Sequence, residues 1–399
     1  MNKEVVIVEA VRTAVGTIGG SLKDVKPEEL ARVVIQGALD RSGIDPKEID
    51  EVILGHCRQS SDNPNIARLA ALRCGIPEST PAFTVMRQCA SGMTAVAQGV
   101  NAIKLGEADV VIAGGTESMS QAVFYIRNAR FGVGTGNQTL VDSLTEGQFQ
   151  SQPQEIYGSF NMGYAGGEYI VEEFGVTREE QDAFSYQSQV RAAAAIKAGK
   201  FKDEIVPVVI PQRKGDPVVF DTDEYPRETT PEKLAKLAPA FKKDGGTVTA
   251  GNASGRNDGA SALLIMSADK AKALGLKPLA RFVSHAVSGV NPKIMGIGPV
   301  PAIKKALERA GKTLADIELI ELNEAFAAQS VAVIKELGIN QEITNVNGGA
   351  IALGHPVGSS GCRIMVTLLH EMRKRGNKLG LAALCIAGGM GEATVIEAV

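Results

Sequence analysis

Hydrophobic and polar positions along this chain fall into two repeating textures. Short apolar runs end in glycine or a polar residue, and longer stretches of small or amphipathic residues lie between them. Val5–Val8 predicts a first strand. Ser91–Leu105 and Gly358–Arg375 predict helices. They lie close to two further apolar runs, ADVVIAGG (Ala108–Gly115) and LAALCIAGG (Leu381–Gly389), which fit strands buried on both faces. A longer echo precedes both. Ala38–Gly55 reads ALDRSGIDPKEIDEVILG and Ala306–Asn323 reads ALERAGKTLADIELIELN, aligned without a gap. Each copy predicts a helix ending near its glycine (Gly43, Gly311), a turn, and a strand. Two echoes in the same order predict one α/β unit duplicated, with strands and helices in layers.

Between the halves the pattern changes. Tyr125–Gly167 is rich in Gln, Gly, Ser and Asn with little periodicity, the texture of a functional or interface loop. Glu179–Ala198 predicts a helix, Pro207–Tyr225 is punctuated by Pro and Asp, and Glu232–Leu237 predicts a short helix. The expected division is residues 1–120 with 251–268 as the first half, 121–250 as an insertion resting on it, and 269–399 as the second half.

Composition narrows the class. At 44% hydrophobic and 22% charged, the 399-residue chain is not disordered. Lys+Arg 42 against Asp+Glu 45 leaves a net charge of -3, without the footprint of a nucleic-acid binder. No long apolar run is free of charge, so no membrane span is expected. Glu4 and Glu9 interrupt the first apolar stretch, unlike a secretory signal. Five cysteines are too few and odd for a disulfide framework. The expectation is a soluble, reduced, cytoplasmic protein.

Four residues could carry chemistry. Cys89, in VMRQCASGMTAVAQG, follows a strand-like TVM at the start of a small-residue helix, where the helix dipole favours a thiolate. The alternative is an inert buried thiol. His355, in NGGAIALGHPVGSSG, stands before Pro356 at the start of the second-half helix, as the counterpart of Cys89. A pseudo-two-fold would bring the two helix starts to one crevice. Cys385, in LAALCIAGGMG, ends the second-half strand, as a functional thiol or as apolar filling. Asn323, in ELNEAFAAQS, ends the repeated strand where the first half has Gly55. It could orient a water or polarise a carbonyl, or cap a helix. Cys57, Cys74, Cys362, His56, His285 and His370 read as packing or surface residues. GVGTG (Gly132–Gly136) reads as a turn, and neither a P-loop nor metal-ligand spacing is present.

Together QCASGMTAV, GGTESMS, GTVTAGNASGRNDGA, NEAFA, NGGAIALGHPVGSSG and CIAGGMG resemble the thiolases nearly end to end, and most of all their acetyl-CoA-condensing members. The resemblance implies a duplicated α-β-α-β-α fold of two similar halves with an inserted loop domain. It implies a Cys89 nucleophile, His355 to take its proton, and Cys385 as the base on a second acetyl-CoA. One oxyanion site would be His355 with a water on Asn323, the other the backbone N–H groups of Cys89 and Ala387. Arg227 would meet the adenine and phosphate end of coenzyme A. Ala250, Ser254, Phe241 and Phe326 would line its pantetheine, and Met162, Met295 and Ala325 the acyl group. Acetyl-CoA, acetoacetyl-CoA and CoA would be substrates, with no further cofactor and no metal. A homodimer or homotetramer is implied, with the Gln/Gly-rich loop and Gly114–Gln121 near interfaces. Three segments depart from the family pattern: Asn161 where short-chain members have His, GYAGGEY after Met162, and GHCRQSSDNPNIAR near residue 60. Two alternatives stay open, a degradative 3-ketoacyl-CoA thiolase of longer chains and an inactive acyl-CoA-binding scaffold. A decarboxylating condensing enzyme fits less well, because such enzymes lack a cysteine like Cys385.

Overall fold

A computed structural model describes residues 3–399. The predicted first strand runs further than its apolar core, as β1 (Val5–Arg12). The first half adds β2 (Glu51–Gly55), β3 (Ala82–Val85), β4 (Val110–Ser118) and β5 (Asn257–Ser267). The second half holds β6 (Ala280–Gly289), β7 (Leu319–Leu322), β8 (Leu379–Ile386) and β9 (Met390–Ala398). In space the orders are β1-β5-β4-β2-β3 and β6-β9-β8-β7. Antiparallel pairing of the first three strands and parallel pairing beyond them occur in both halves. An Ile320–Thr344 bridge stands in the second half where β3 pairs β2 in the first. Val6–Arg281 and Ile7–Ala280 join the halves into one sheet.

Helices α1 (Pro27–Ser42), α2 (Ile66–Arg73) and α3 (Ser91–Leu105) belong to the first half. Helix α4 (Arg178–Lys197) lies in the insertion, and α5 (Pro299–Ala310), α6 (Ala327–Leu337) and α7 (Val357–Arg375) in the second half. The longer repeat is structural. α1 ends on Gly43 at φ 69° and α5 on Gly311 at φ 62°, left-handed caps that cost glycine little. A single 3₁₀ turn and then β2 or β7 follow each.

Strand alternation sorts side chains into three cores. From β1 and β4, Val6, Val8, Val110 and Ile112 pack under α1 and α2. Their neighbours Val5, Ile7, Val111 and Ala113 pack on α3 and α7. α5 and α6 cover Leu322, Leu381 and Val395 of the second half. The result is α-β-α-β-α layering with α3 and α7 in the middle. These two helices meet near their N-termini. A Cβ on Gly92 would sit 3.0 Å from the Gly358 and Ser359 carbonyls, and one on Gly361 would sit 2.6 Å from the Met93 nitrogen. Only glycine allows that crossing.

The structure corrects two readings of the chain. The IAGG echo marks a strand in each half but in the wrong register. Glu51 faces Val111 and its repeat partner Leu319 faces Gly380, so Val111 answers to Gly380 rather than Cys385. Gly114 and Gly115 lie inside β4, pressed by the backbones of β5 and α7, whereas Gly388 and Gly389 form the β8–β9 turn at φ 89° and 85°. The insertion also does not rest on the first half alone. Buried Arg12 ties it there through Glu204 (2.6 Å) and Asp223 (2.7 Å). On the other side α4 binds the second half through Ser188–Glu324 (2.7 Å) and Arg191 to the Thr344 carbonyl (2.7 Å). The stretch Tyr125–Gly167 proves partly regular, with a hairpin (124–126 with 140–142), short helices at 143–149 and 154–157, and a π-turn opening at Tyr164.

Candidate active site

Between β3 and α3 the chain passes through Gln88 at φ 46°, a left-handed conformation uncommon for a residue with a side chain. Ser91 Oγ holds this elbow, accepting from Arg87 N–H (2.8 Å) and donating to the Gln88 carbonyl (2.7 Å). Cys57 Sγ–H donates to the same carbonyl at 3.1 Å. The elbow presents half-buried Cys89 to a cavity of about 210 Å³. Burial pushes the Cys89 thiol up, and the amides of Ala387 and Cys89 and the charge of Arg58 offset this only in part. The thiolate expected from the helix start is therefore not the resting form; desolvation outweighs the dipole.

His355 stands two residues before α7, as Cys89 stands two before α3, and lines the same cavity. Its backbone N–H donates to Asn257 Oδ1 (2.9 Å). Nδ1 lies 2.6 Å from Ser360 Oγ, and the Ser360 hydroxyl donates to the Pro356 carbonyl at 2.9 Å. With that hydroxyl proton committed, Nδ1 is the donor, and Nε2 keeps its lone pair. Nε2 is buried with no hydrogen-bond partner among the described residues. Burial first, then the charge of Arg363, pulls the imidazole down to about 4, so it is neutral and ready to accept a proton.

Of the other residues singled out in the sequence, Met162, Phe241, Ser254, Met295, Ala325, Phe326 and Ala387 line this cavity. Cys385 does not. It is fully buried among Met295, Phe326 and Ala387, and burial pushes its thiol far up, with Cys89 as the next cause. Asn323 is also behind the wall, 1% exposed. Neither its side-chain oxygen nor its nitrogen has a partner among the described residues. An unmet buried amide costs about 1–3 kcal/mol, which marks it as more than packing. Arg227 and Ala250 lie apart from the cavity. The guanidinium donates to the Ala250 carbonyl (2.8 Å), stacks on Tyr225, and faces a second hollow beside Gln189 and Thr229.

The departing segments shape the walls. Asn161 Oδ1 accepts from Gly163 N–H (3.0 Å) and Tyr164 N–H (3.3 Å), opening the turn behind Met162. Any Cβ on Gly163 or Gly166 would strike the Phe241 or Phe326 ring, so the glycines of GYAGGEY admit these two rings, which pack edge to face at 6.2 Å. Sequence reasoning missed Arg58 and Arg256, which both line the cavity. It also missed buried Glu117, whose carboxylate accepts from the N–H groups of Cys57 (3.2 Å), Arg58 (3.0 Å) and Gly358 (2.9 Å). Burial opposes the Glu117 charge, yet His56 at 3.2 Å and these amides hold the carboxyl below its ordinary value. The signals were the departing GHCR segment and GGTESMS, quoted only as motifs. No cluster of three His, Cys, Asp or Glu among the described residues could hold a metal ion.

The family model of the thiolase N-terminal domain matches residues 5–269, and that of the thiolase C-terminal domain matches residues 276–398. The chain belongs to the thiolase family. The acetyl-CoA acetyltransferase of Syntrophomonas wolfei subsp. wolfei is 54% identical to it over 402 residues, covering 100% of both chains. The acetyl-CoA acetyltransferase of Pseudomonas aeruginosa is 53% identical over 99% of each. Among solved thiolase-fold structures, the Bacillus anthracis acetyl-CoA acetyltransferase superposes with a TM-score of 0.96 at 49% identity, covering 100% of both chains. Human mitochondrial 3-ketoacyl-CoA thiolase gives 0.95 at 45%, covering 100% of this chain and 99% of that one.

Proposed function

We propose that this thiolase joins two acetyl-CoA molecules into acetoacetyl-CoA and CoA, and runs the same steps in reverse. The observation that carries the reading is one cavity into which Cys89, an unpaired His355 Nε2 and Ala387 all face. Cys89 Sγ attacks the acetyl carbonyl while its proton passes to His355 Nε2. The tetrahedral oxyanion is met by the N–H groups of Cys89 and Ala387. CoA departs with the Cys385 proton, leaving acetyl-Cys89, an imidazolium and a Cys385 thiolate. That thiolate, made strongly basic by burial, takes a methyl proton from the second acetyl-CoA. His355 Nε2–H and a water on the Asn323 amide stabilise the enolate oxygen. The enolate carbon then attacks acetyl-Cys89, and the released Cys89 recovers its proton from His355. Each step moves a proton or an acyl group between side chains and thioesters, so the reading calls for no metal and no cofactor beyond these substrates.

Incubation with acetyl-CoA, followed by peptide mapping, should place one acetyl group on Cys89. Failure to acylate Cys89 would leave the scaffold reading. Met162 and Met295 bound the acyl end of a small cavity, which favours short chains. Thiolysis kcat/KM should therefore fall from acetoacetyl-CoA to 3-ketohexanoyl-CoA and beyond; a flat or rising profile would favour a degradative 3-ketoacyl-CoA thiolase. The hairpin region exposes Phe124 (58%), Phe131 (98%) and Leu140 (63%), a surface that fits pairing with further copies of this chain into a dimer or tetramer. Five free cysteines suit a reducing compartment such as the cytoplasm, and among the described residues no helix is long and apolar enough to cross a membrane.

A further inference from the structure

The cavity that holds Cys89 is walled in part by Met, Phe and Ala side chains, yet two arginines, Arg58 and Arg256, also line it. A site built only for an acetyl group has no use for either. Neither side chain is within 4.0 Å of a carboxylate among the described residues. The carboxylates that feel their charge do so from beyond that distance: Glu117, already paired with His56, feels Arg58, and Asp142, which caps the helix at 143–149, feels Arg256. Arg58 Nε is buried and has no hydrogen-bond partner among the described residues. A half-buried cation with no carboxylate in contact is costly unless a ligand supplies one.

Position tells which part of a ligand that is. Arg58 follows Cys57, whose thiol touches the Gln88 carbonyl beside the nucleophile, and its backbone N–H is pinned by Glu117 at 3.0 Å. Its guanidinium lies against Gly147, where any side chain would collide with it. Its charge reaches the Cys89 sulfur. Arg256 precedes Asn257, which holds the His355 backbone. The pantetheine arm keeps the coenzyme A phosphates far from the thioester, so a cation beside Cys89 meets the acyl end instead.

We infer that the cavity accepts 3-ketoacyl-CoA thioesters whose acyl chain ends in a carboxylate, held by Arg58 with Arg256 beside it. This rests on the thiolase reading above and widens its substrate class. With a six-carbon 3-keto diacid thioester, Cys89 attacks the keto carbon while its proton passes to His355 Nε2, and the bond between C2 and C3 breaks. The electron pair goes to C2, which takes the Cys385 proton and leaves as acetyl-CoA. The thiol of free CoA then attacks the acyl-enzyme, giving its proton to Cys385 and releasing a four-carbon acyl-CoA whose terminal carboxylate is untouched, and the freed Cys89 thiolate recovers its proton from His355.

The test is the ratio of thiolysis kcat/KM for 3-oxohexanedioyl-CoA against 3-oxohexanoyl-CoA, which match in chain length and differ in a terminal carboxylate or methyl. Because a ratio is read, any general loss of activity in a variant cancels. The ratio should exceed one in the wild-type enzyme. It should fall about 10- to 100-fold in Arg58→Leu, the range of a charge-assisted hydrogen bond. Arg58→Lys should recover part of it, and Arg256→Leu should lower it less. A wild-type ratio at or below one, or a ratio unmoved by both leucine variants, overturns the inference. So does an equal loss on both substrates that vanishes with pantetheine thioesters, since that pattern assigns the arginines to the coenzyme phosphates. An enzyme that turns over neither substrate and does not acylate Cys89 fails the thiolase reading itself; one that thiolyses only the methyl-ended chain fails the carboxylate alone.

Discussion

The two halves of the molecule share a strand order and a helix order but almost none of their chemistry. Two residues before its central helix the first half has Cys89, and the second has His355. At the end of the repeated strand the first half has Gly55 and the second Asn323. A Cβ on Gly55 would enter the Ser91 backbone, so the first half needs glycine there to seat the nucleophile's helix. The second half leaves room for an amide. In β8 the residue in register with Thr116 of β4 is Cys385. Thr116 is satisfied by the Pro27 carbonyl at 2.8 Å, whereas Cys385 sits beside the site. Duplication thus supplies two equivalent helix starts facing one crevice. In the function proposed above, divergence then assigns the nucleophile to one half and the proton carriers to the other.

Alanine at the two thiols separates these assignments most sharply. Cys89→Ala should lower thiolysis of acetoacetyl-CoA by about 10⁴-fold or more, the scale for loss of a covalent nucleophile. Cys385→Ala should also abolish useful turnover, by about 10²–10⁴-fold. It should still accept an acetyl group on Cys89, more slowly because the departing CoA lacks the Cys385 proton, and lose the exchange of acetyl-CoA methyl protons for deuterium. If Cys385→Ala exchanged those protons at the wild-type rate, the second half would not hold the base.

Asn323→Ala probes the strand end. The repeat partner of Asn323 is glycine, so the scaffold tolerates a small residue at this position, and the change should act mainly on catalysis. The expected loss is about 10²–10³ in kcat, the scale for one oxyanion donor, with thermal stability unchanged or raised because an unsatisfied buried amide is removed. A large fall in Tm with kcat intact would make Asn323 a structural residue.

Much of this was legible in the chain because repetition and small residues leave marks. The gapless repeat predicted the helix ends at Gly43 and Gly311, and the flanks of Cys89 and His355 placed both at helix starts. Register was not legible, because IAGG describes an apolar strand beside glycine whether the glycines lie within the strand or turn after it. Protonation was not legible either, since a helix start promises a thiolate and only burial shows that desolvation wins. Arg58 and Arg256 escaped notice because a single charged residue in a loop carries no periodicity, and Glu117 because one carboxylate at the end of an apolar strand does not show that it turns inward. The insertion's bonds to both halves, such as Arg12 to Asp223 and Ser188 to Glu324, join residues too distant in sequence for any local pattern to connect.

The smallest effect expected is on pH dependence, and it reports which half holds the proton at rest. The burial that raises the Cys89 thiol also lowers the His355 imidazole to about 4, so the resting pair is a thiol and a neutral imidazole. The acid limb of kcat/KM for thiolysis should then lie near pH 4 to 5, well below the ordinary histidine value of about 6.5. Between about pH 4 and 6.5 the unfolded chain binds a proton at His355 that the folded chain refuses, so this residue makes stability rise with pH across that window. Its contribution is about 3 kcal/mol when complete, at about 1.36 kcal/mol per unit. His355→Gln should flatten the Tm profile between pH 4 and 6.5 relative to the wild type. An acid limb at 6.5, together with thiolate absorbance at neutral pH in the free enzyme, would mean that the proton had already crossed from the first half to the second before substrate arrived. The division of labour between the halves would then be set in the resting enzyme, and no longer by the thioester.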